Sequence, residues 1–470
     1  MKILLFIILC FGVLTFGNDI KSNAFLVDKS LYKTYDFKKG KILKKKGDYV
    51  LGSMFADKEE MNWTGKFKIA ELGGIDDIHI NYDLLKKSGA LDIKYRLGYD
   101  WMPAFYYYTS GKNRKFVKWL YNKRDLATLN PKGPFLHCKK NGYDWCQDYY
   151  YNYGDKEILE KRAKDLSSNM KTKGFNGLFF DWASGGFINS KEYIGLKRRF
   201  YKLNPDKNYF KMIAKFYREL KKRKIFFVTN QAFRQEKYLL KYITYDMTES
   251  YITTDTKIKK RVQIAGKGWV DSIKVTNYYP IYKNSKNLKD SLHFIDLLTK
   301  YKKSYKKYGF KNFIYLNYIA PRYEKIYESM PLYAEKKPKN AIYFSYAMAK
   351  LTDNLVYAEL SSNRKLERSD IYFYDLGEVL GKKYEKIDSI GGYIRFYKNG
   401  FVVVSSAQKS TIYLKIKSKY IPNNSYVFNP FENIWLKSGD ENLVVKIDYL
   451  KDAFTKKTLP AGRVFLYNQN

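Results

Sequence analysis

The stretch GFNGLFFDWASGGF, residues 174–187, sets an aspartate beside a tryptophan at the end of a run of large apolar residues. Its opening glycine closes a helix. Asp155 is placed to cap that helix, and Ile158, Leu159, Ala163, Leu166 and Met170 recur on one face of it. GLFFD, 177–181, then reads as a strand buried on both faces. An acid ending such a strand costs desolvation unless something uses it, which makes Asp181 a chemical candidate.

The same alternation continues outward. A helix carrying Phe210, Ile213, Phe216 and Leu220 ends in KKRK and leads into IFFVTNQ, 225–231, followed by ITYDMTES, 243–250. A helix over 290–308 stops at Gly309 before NFIYLNY, 312–318, and AIYFSYAMAKL, 341–351, precedes LVYAEL, 355–360. Apolar strands alternating with amphipathic helices mean parallel β/α units. FKIAEL (67–72), DWMPAFYYY (100–108) and WCQDYYYNYG (145–154) are further strand candidates. They bring the number to about eight, which predicts a (β/α)8 TIM barrel rather than an open sheet. No glycine-rich nucleotide fingerprint follows any strand.

Beyond SSNRKLERSD, 361–370, the pattern changes. Asn399-Gly400 separates two strand-like runs, and STIYLKI, SYVF, IWL, LVVKIDYL and RVFLYN follow with turn residues between them. This predicts a C-terminal antiparallel β domain. The expected organisation is a signal peptide over 1–17, an N-terminal extension over 18–60, the barrel over 61–362 and the β domain over 370–470.

The leader MKILLFIILCFGVLTFGND carries one lysine before an apolar stretch too short to span a bilayer. A cleaved secretory signal ending near Gly17 is expected, with a secreted or periplasmic mature chain and no integral membrane segment. After cleavage only Cys138 and Cys146 remain, in HCKKNGYDWC. An oxidising compartment favours a local disulfide between them over free thiols or a metal site. The net charge of +40 comes from lysines spread along the chain rather than gathered in a basic arm. That distribution, with abundant Tyr, Asn, Ile and Phe, fits an AT-biased coding sequence and predicts no nucleic-acid partner. The positive field suits an anionic polymer better than a cationic one.

Histidine-based chemistry is poorly supplied. The mature chain holds His79, His137 and His293, with no His-x-x-x-His and no G-x-S-x-G elbow. No metal or cofactor is expected, and carboxylates are left for acid–base work. A barrel assembles its active site at the C-terminal ends of its strands. That rule selects Asp181, Asn230 and Gln231, Glu249, Asn317 and Tyr318, and Asn152, with Trp182, Trp101 and Tyr251 as rings for sugar stacking. Asp155 is read as a helix cap, and Asp246, inside its strand, as the partner of a barrel lysine. Asn230 has a second reading as a loop-satisfying amide. Two carboxylates facing across a pocket are the apparatus of glycoside hydrolysis, and their separation fixes the stereochemistry.

GFNGLFFDW, VTNQ and YDMTESY, taken in order, resemble the motifs of the endo-α-1,4-polygalactosaminidase family and its TIM-barrel glycosidase relatives. The likeness covers about residues 145–330 and implies that Asp181 and Glu249 are the acid pair. Asn176 stands where that motif commonly has an acid, and the amides run Asn230-Gln231 rather than in the reverse order. A cationic galactosamine polymer fits this basic chain poorly, so the substrate is not carried over. The expectation is a secreted glycoside hydrolase acting on a polysaccharide or oligosaccharide, with Asp181 as nucleophile or base and Glu249 as proton donor, or the two roles exchanged. The rival is a non-catalytic carbohydrate-binding or cell-envelope protein on the same scaffold.

Overall fold

A computed structural model describes residues 22–51, 62–74, 92–106, 115–132, 148–249, 253–257, 262–264, 268–270, 278–282, 288–316, 337–358, 369–451 and 457–469. Eight strands close into a barrel: β1 (Gly47–Leu51), β2 (Phe67–Gly74), β3 (Tyr95–Trp101), β4 (Gly177–Asp181), β5 (Phe226–Asn230), β6 (Tyr245–Thr248), β7 (Asn312–Tyr315) and β8 (Leu355–Ala358). Each pairs in parallel with its sequence neighbours, and β8 returns to β1. The chain is thus a (β/α)8 barrel with a separate antiparallel β region at its C-terminus.

The apolar runs follow from this geometry, because a barrel strand is buried on both faces. In β4, Phe179 joins Tyr49, Ile69, Leu97, Val228, Met247 and Ile314 inside the barrel. Leu178 and Phe180 point the other way, into the helix layer, where Phe180 meets Phe216 and Tyr217. Truncating Phe180 to alanine is expected to cost about 3–5 kcal/mol. Gly177 is small by necessity, since a Cβ there would lie 2.6 Å from Leu97 and 2.9 Å from Phe226.

The helix before β4, α1 (Lys156–Thr172), buries the predicted stripe, and the Asp155 carboxylate accepts from the Glu157 N–H at 2.7 Å. Gly174 then turns the chain with φ 78°. Three further helices matter below: α2 (Tyr209–Lys222), α3 (Lys289–Tyr305) and α4 (Lys337–Lys350).

Two strand expectations need correction. DWMPAFYYY and WCQDYYYNYG are not barrel strands in their own right. The barrel strand is Tyr95–Trp101, and the chain then turns at Met102-Pro103. Ala104–Tyr106 pairs antiparallel with Asp148–Tyr150 as an excursion on the rim. The missing barrel strand is β1, which lies within the stretch expected to be an N-terminal extension.

The C-terminal region holds a six-stranded sheet and a three-stranded sheet, the latter completed by Asn23–Leu26 from the other end of the chain. Phe401, Val403 and Phe465 face Leu414, Ile416 and Val445 across one core. Val402, Val404, Val464 and Leu466 face the opposite way and join the core that contains α4. A sheet covered on both sides explains runs such as FVVVS. It also explains α4, whose residues 340–351 are buried around the whole helix.

Candidate active site

Inward and outward positions alternate along each barrel strand, and that alternation builds the site. Phe226, Val228 and Asn230 line the interior, as do Tyr245, Met247 and, one step beyond the strand, Glu249. Gly177, Phe179 and Asp181 do the same on β4. Three adjacent strands therefore deliver an acid, an amide and an acid to one spot at the C-terminal rim.

The Asn230 side-chain nitrogen donates to Asp181 Oδ1 at 2.9 Å and to Glu249 Oε2 at 3.0 Å. The two oxygens are therefore separated by no more than about 5.9 Å, the sum of the two bonds. The two N–H directions of an amide diverge by about 120°, which puts the oxygens at roughly 5 Å. The Asn230 carbonyl oxygen is buried and has no hydrogen-bond partner, because its amide is turned to serve the acids. Orphaning an acceptor costs about 1–3 kcal/mol, and such costs persist where function needs the geometry.

Asp181 is held by three donors. Besides Asn230, it accepts from the Trp182 backbone N–H at 2.8 Å and from the Tyr99 hydroxyl at 3.1 Å. Burial pushes its carboxyl above the ordinary range, and the nearby Glu249 charge adds to this. The three donors pull the other way.

Both loops leaving this spot begin with a non-glycine residue in the left-handed region, Trp182 with φ 52° and Gln231 with φ 60°. Strain of this kind concentrates at functional sites. It turns Trp182 outward, where it is 41% exposed. Trp101, Phe187 and Tyr193 surround its ring, with Trp101 edge-on at 6.1 Å. The acids, Asn230, Gln231, Trp182, Phe187 and Tyr193 line an open cleft of about 800 Å³, to which Ser184, Ser190 and Arg234 add polar groups.

Asp181, Glu249, Asn230, Gln231, Trp182 and Trp101 therefore come together. Asn152 does not. It is buried in the rim excursion, donating to the Leu126 carbonyl at 2.8 Å and accepting from Gly154 N–H and the Asn204 amide. Its place is structural because the run it ends is not a barrel strand. Asp246 has no lysine partner. It faces outward and accepts from the Thr229 hydroxyl and from the N–H groups of Ala232 and Phe233, which pins the loop after Asn230. Its burial raises its pKa to about 7. Asn176, at the departure from the family motif, brackets the backbone of residues 94–96. Tyr251, Asn317, Tyr318, Cys138 and Cys146 lie outside the described residues. No group of three metal-binding side chains occurs among the described residues.

Sequence reasoning overlooks Glu71. It faces into the barrel from β2, accepts from the Tyr49 hydroxyl at 2.8 Å, and burial lifts its pKa to about 8. The charge of Asp181 contributes to that rise. Tyr49, Glu71, Tyr99, Asp181, Asn230 and Glu249 thus form an arc of polar groups over six consecutive strands.

No family model matches the sequence, and no curated protein does. Among solved structures, the chain is similar to a noncanonic maltogenic alpha-amylase, AmyB, from Thermotoga neapolitana, at 10% identity and TM-score 0.43, over 90% of this chain and 99% of that one. It is similar to an Anoxybacillus alpha-amylase at 11% identity and TM-score 0.47, over 90% and 98%. Ega3 of Aspergillus fumigatus, solved with galactosamine, is similar at 11% identity and TM-score 0.35, over 71% and 97%. The barrel and its acid pair stand on this chain's own topology and distances, independently of these likenesses.

Proposed function

We propose that the protein is a glycoside hydrolase of the retaining type, secreted by its N-terminal leader, with Asp181 as nucleophile and Glu249 as acid and base. The observation that carries this is the shared amide of Asn230. It brings one oxygen of each acid, Asp181 Oδ1 and Glu249 Oε2, within about 5.9 Å of the other, which favours the ~5–5.5 Å spacing of retaining pairs over the ~6.5–9.5 Å of inverting ones.

The division of labour follows from the hydrogen bonds. Three donors orient Asp181 and stabilise its anion, which suits attack on the anomeric carbon. Glu249 gives its proton to the glycosidic oxygen as the C1–O bond breaks and the Asp181 ester forms. Water then attacks C1, yields its proton to Glu249, and frees the Asp181 carboxylate. Asn230 holds both oxygens in register throughout. The Trp182 face, with Trp101 beside it, offers a stacking platform for a sugar ring. The substrate is a polysaccharide or oligosaccharide, and the charge of +40 favours an anionic one.

The test is a hydrolysis screen against a polysaccharide panel, with Asp181→Asn and Glu249→Gln as controls. The wild type is expected to release reducing ends from at least one glycan and both variants to lose that activity. Full activity in either variant sinks the assignment. Binding without hydrolysis by the wild type would instead support a carbohydrate-binding scaffold.

A further inference from the structure

A second cleft lies at the other end of the barrel. Its walls are the C-terminal half of α3, the turn Gly309–Lys311 entering β7, the turn Leu351–Asp353 entering β8, and residues 382–384 and 395 of the β region. Turns that enter barrel strands sit at the end opposite the acid pair. The cleft encloses about 1080 Å³, near the upper range of small-ligand sites. Eight of its lining residues are lysine or arginine, and two, Asp296 and Asp353, are acidic. Asp296 accepts from the Tyr384 hydroxyl at 3.0 Å.

Arg395 is the residue that this surplus leaves unexplained. Along the strand Gly392–Tyr397, Ile394 and Phe396 enter the β-sandwich core, so Arg395 faces the barrel. It is 7% exposed, yet its guanidinium makes one hydrogen bond, from Nη2 to the Gly381 carbonyl at 3.2 Å. Nε and Nη1 are buried without a partner. A buried guanidinium with open donors is costly unless an anion completes it, and its planar fork matches the oxygens of phosphate or carboxylate. Desolvation lowers its pKa, and the Asp353 and Glu385 charges offset this only in part. Lys302, on the opposite wall, repeats the pattern. Its ammonium donates to the Asp353 carbonyl at 3.1 Å rather than to a carboxylate, and desolvation pushes its pKa down.

We propose that this cleft, lined by Arg395, Lys302 and Lys383, is an oxyanion-binding site that takes the phosphate, sulfate or carboxylate group of an anionic ligand. It lies apart from the acid pair and does not depend on the reading of that site.

The experiment is a titration of the full chain with inorganic phosphate, glucose 6-phosphate and a galacturonate oligomer. Melting temperature and calorimetric binding are followed against chloride at equal ionic strength. A saturable rise with at least one ligand is expected, and which ligand gives it distinguishes a phosphate ester from a uronate. Arg395→Met should raise the Kd at least tenfold. Removing an unpaired buried cation should leave the variant no less stable in chloride than the wild type. Lys302→Met, on the helix surface, should weaken binding in the same direction, while Asp181→Asn should leave it unchanged. A rise no larger than that with chloride for all three ligands overturns the proposal, as does undiminished binding by both Arg395→Met and Lys302→Met.

Discussion

The barrel carries two kinds of buried acid, and their surroundings differ in one respect. Acids on the outward faces of its strands are bound to the scaffold. Asp100 pairs with Arg162 at 2.5 Å, Asp48 holds Lys350 and the Val356 N–H, and Asp246 takes Thr229 and two backbone N–H groups. At the inward C-terminal rim, Asp181 takes an amide, a hydroxyl and a backbone N–H instead of a cation. Asp181 and Glu249 share one neutral amide and open onto a cleft. A paired acid has its affinity for protons and electrophiles spent on its partner. An acid held by neutral donors, as Asp181 is, keeps that affinity for a substrate.

This contrast is best broken by separating activity from stability. The largest effect belongs to the rim, where Asp181→Asn or Glu249→Gln should each lower kcat by about 10³-fold or more, with little change in the urea midpoint. Asp100→Ala should do the reverse, leaving Arg162 buried and unpaired. Denaturation should show a loss of about 3–5 kcal/mol, with activity per folded molecule unchanged.

Glu71 stands between the two classes and gives a pH signature. Its folded-state pKa of about 8 lies above the ordinary 4.5, so it favours the folded state below about 4.5 and loses that contribution as pH rises through 8. Stability measured by urea melts should fall by a few kcal/mol between pH 5 and pH 8, and Glu71→Gln should remove part of that slope, the buried Asp246, raised to about 7, supplying another part. The smallest effect is expected for Asn230→Ala. It keeps both acids but frees their spacing, and kcat should fall by about 10²-fold while substrate affinity changes little.

The sequence exposes the features whose physical signal is local. A glycine-closed helix followed by GLFFD predicts β4 and places Asp181 at its end, and the same logic finds Asn230 and Glu249. Signals that depend on strand pairing are hidden. DYYYNYG has the aromatic composition of a strand and is one, but it pairs antiparallel with Ala104–Tyr106, so Asn152 never reaches the rim. GDYVL is short and follows a lysine-rich stretch, which masks β1. Glu71 sits within FKIAEL rather than at its end, and only the register of Leu51 and Leu97 beside it shows that it faces inward. Tyr49 and Tyr99 cannot be told from the other tyrosines of a chain that has 47.

The proposed two-step covalent mechanism rests on the closeness of Asp181 and Glu249 across the Asn230 amide. The most direct measurement is the anomeric configuration of the first-formed product, followed by proton NMR during hydrolysis of whichever glycan the screen identifies. Retention of the substrate's configuration is predicted, with the other anomer appearing only through mutarotation. Initial release of the opposite anomer would contradict it, because inversion needs carboxyl groups ~6.5–9.5 Å apart, wider than the two oxygens that Asn230 bridges.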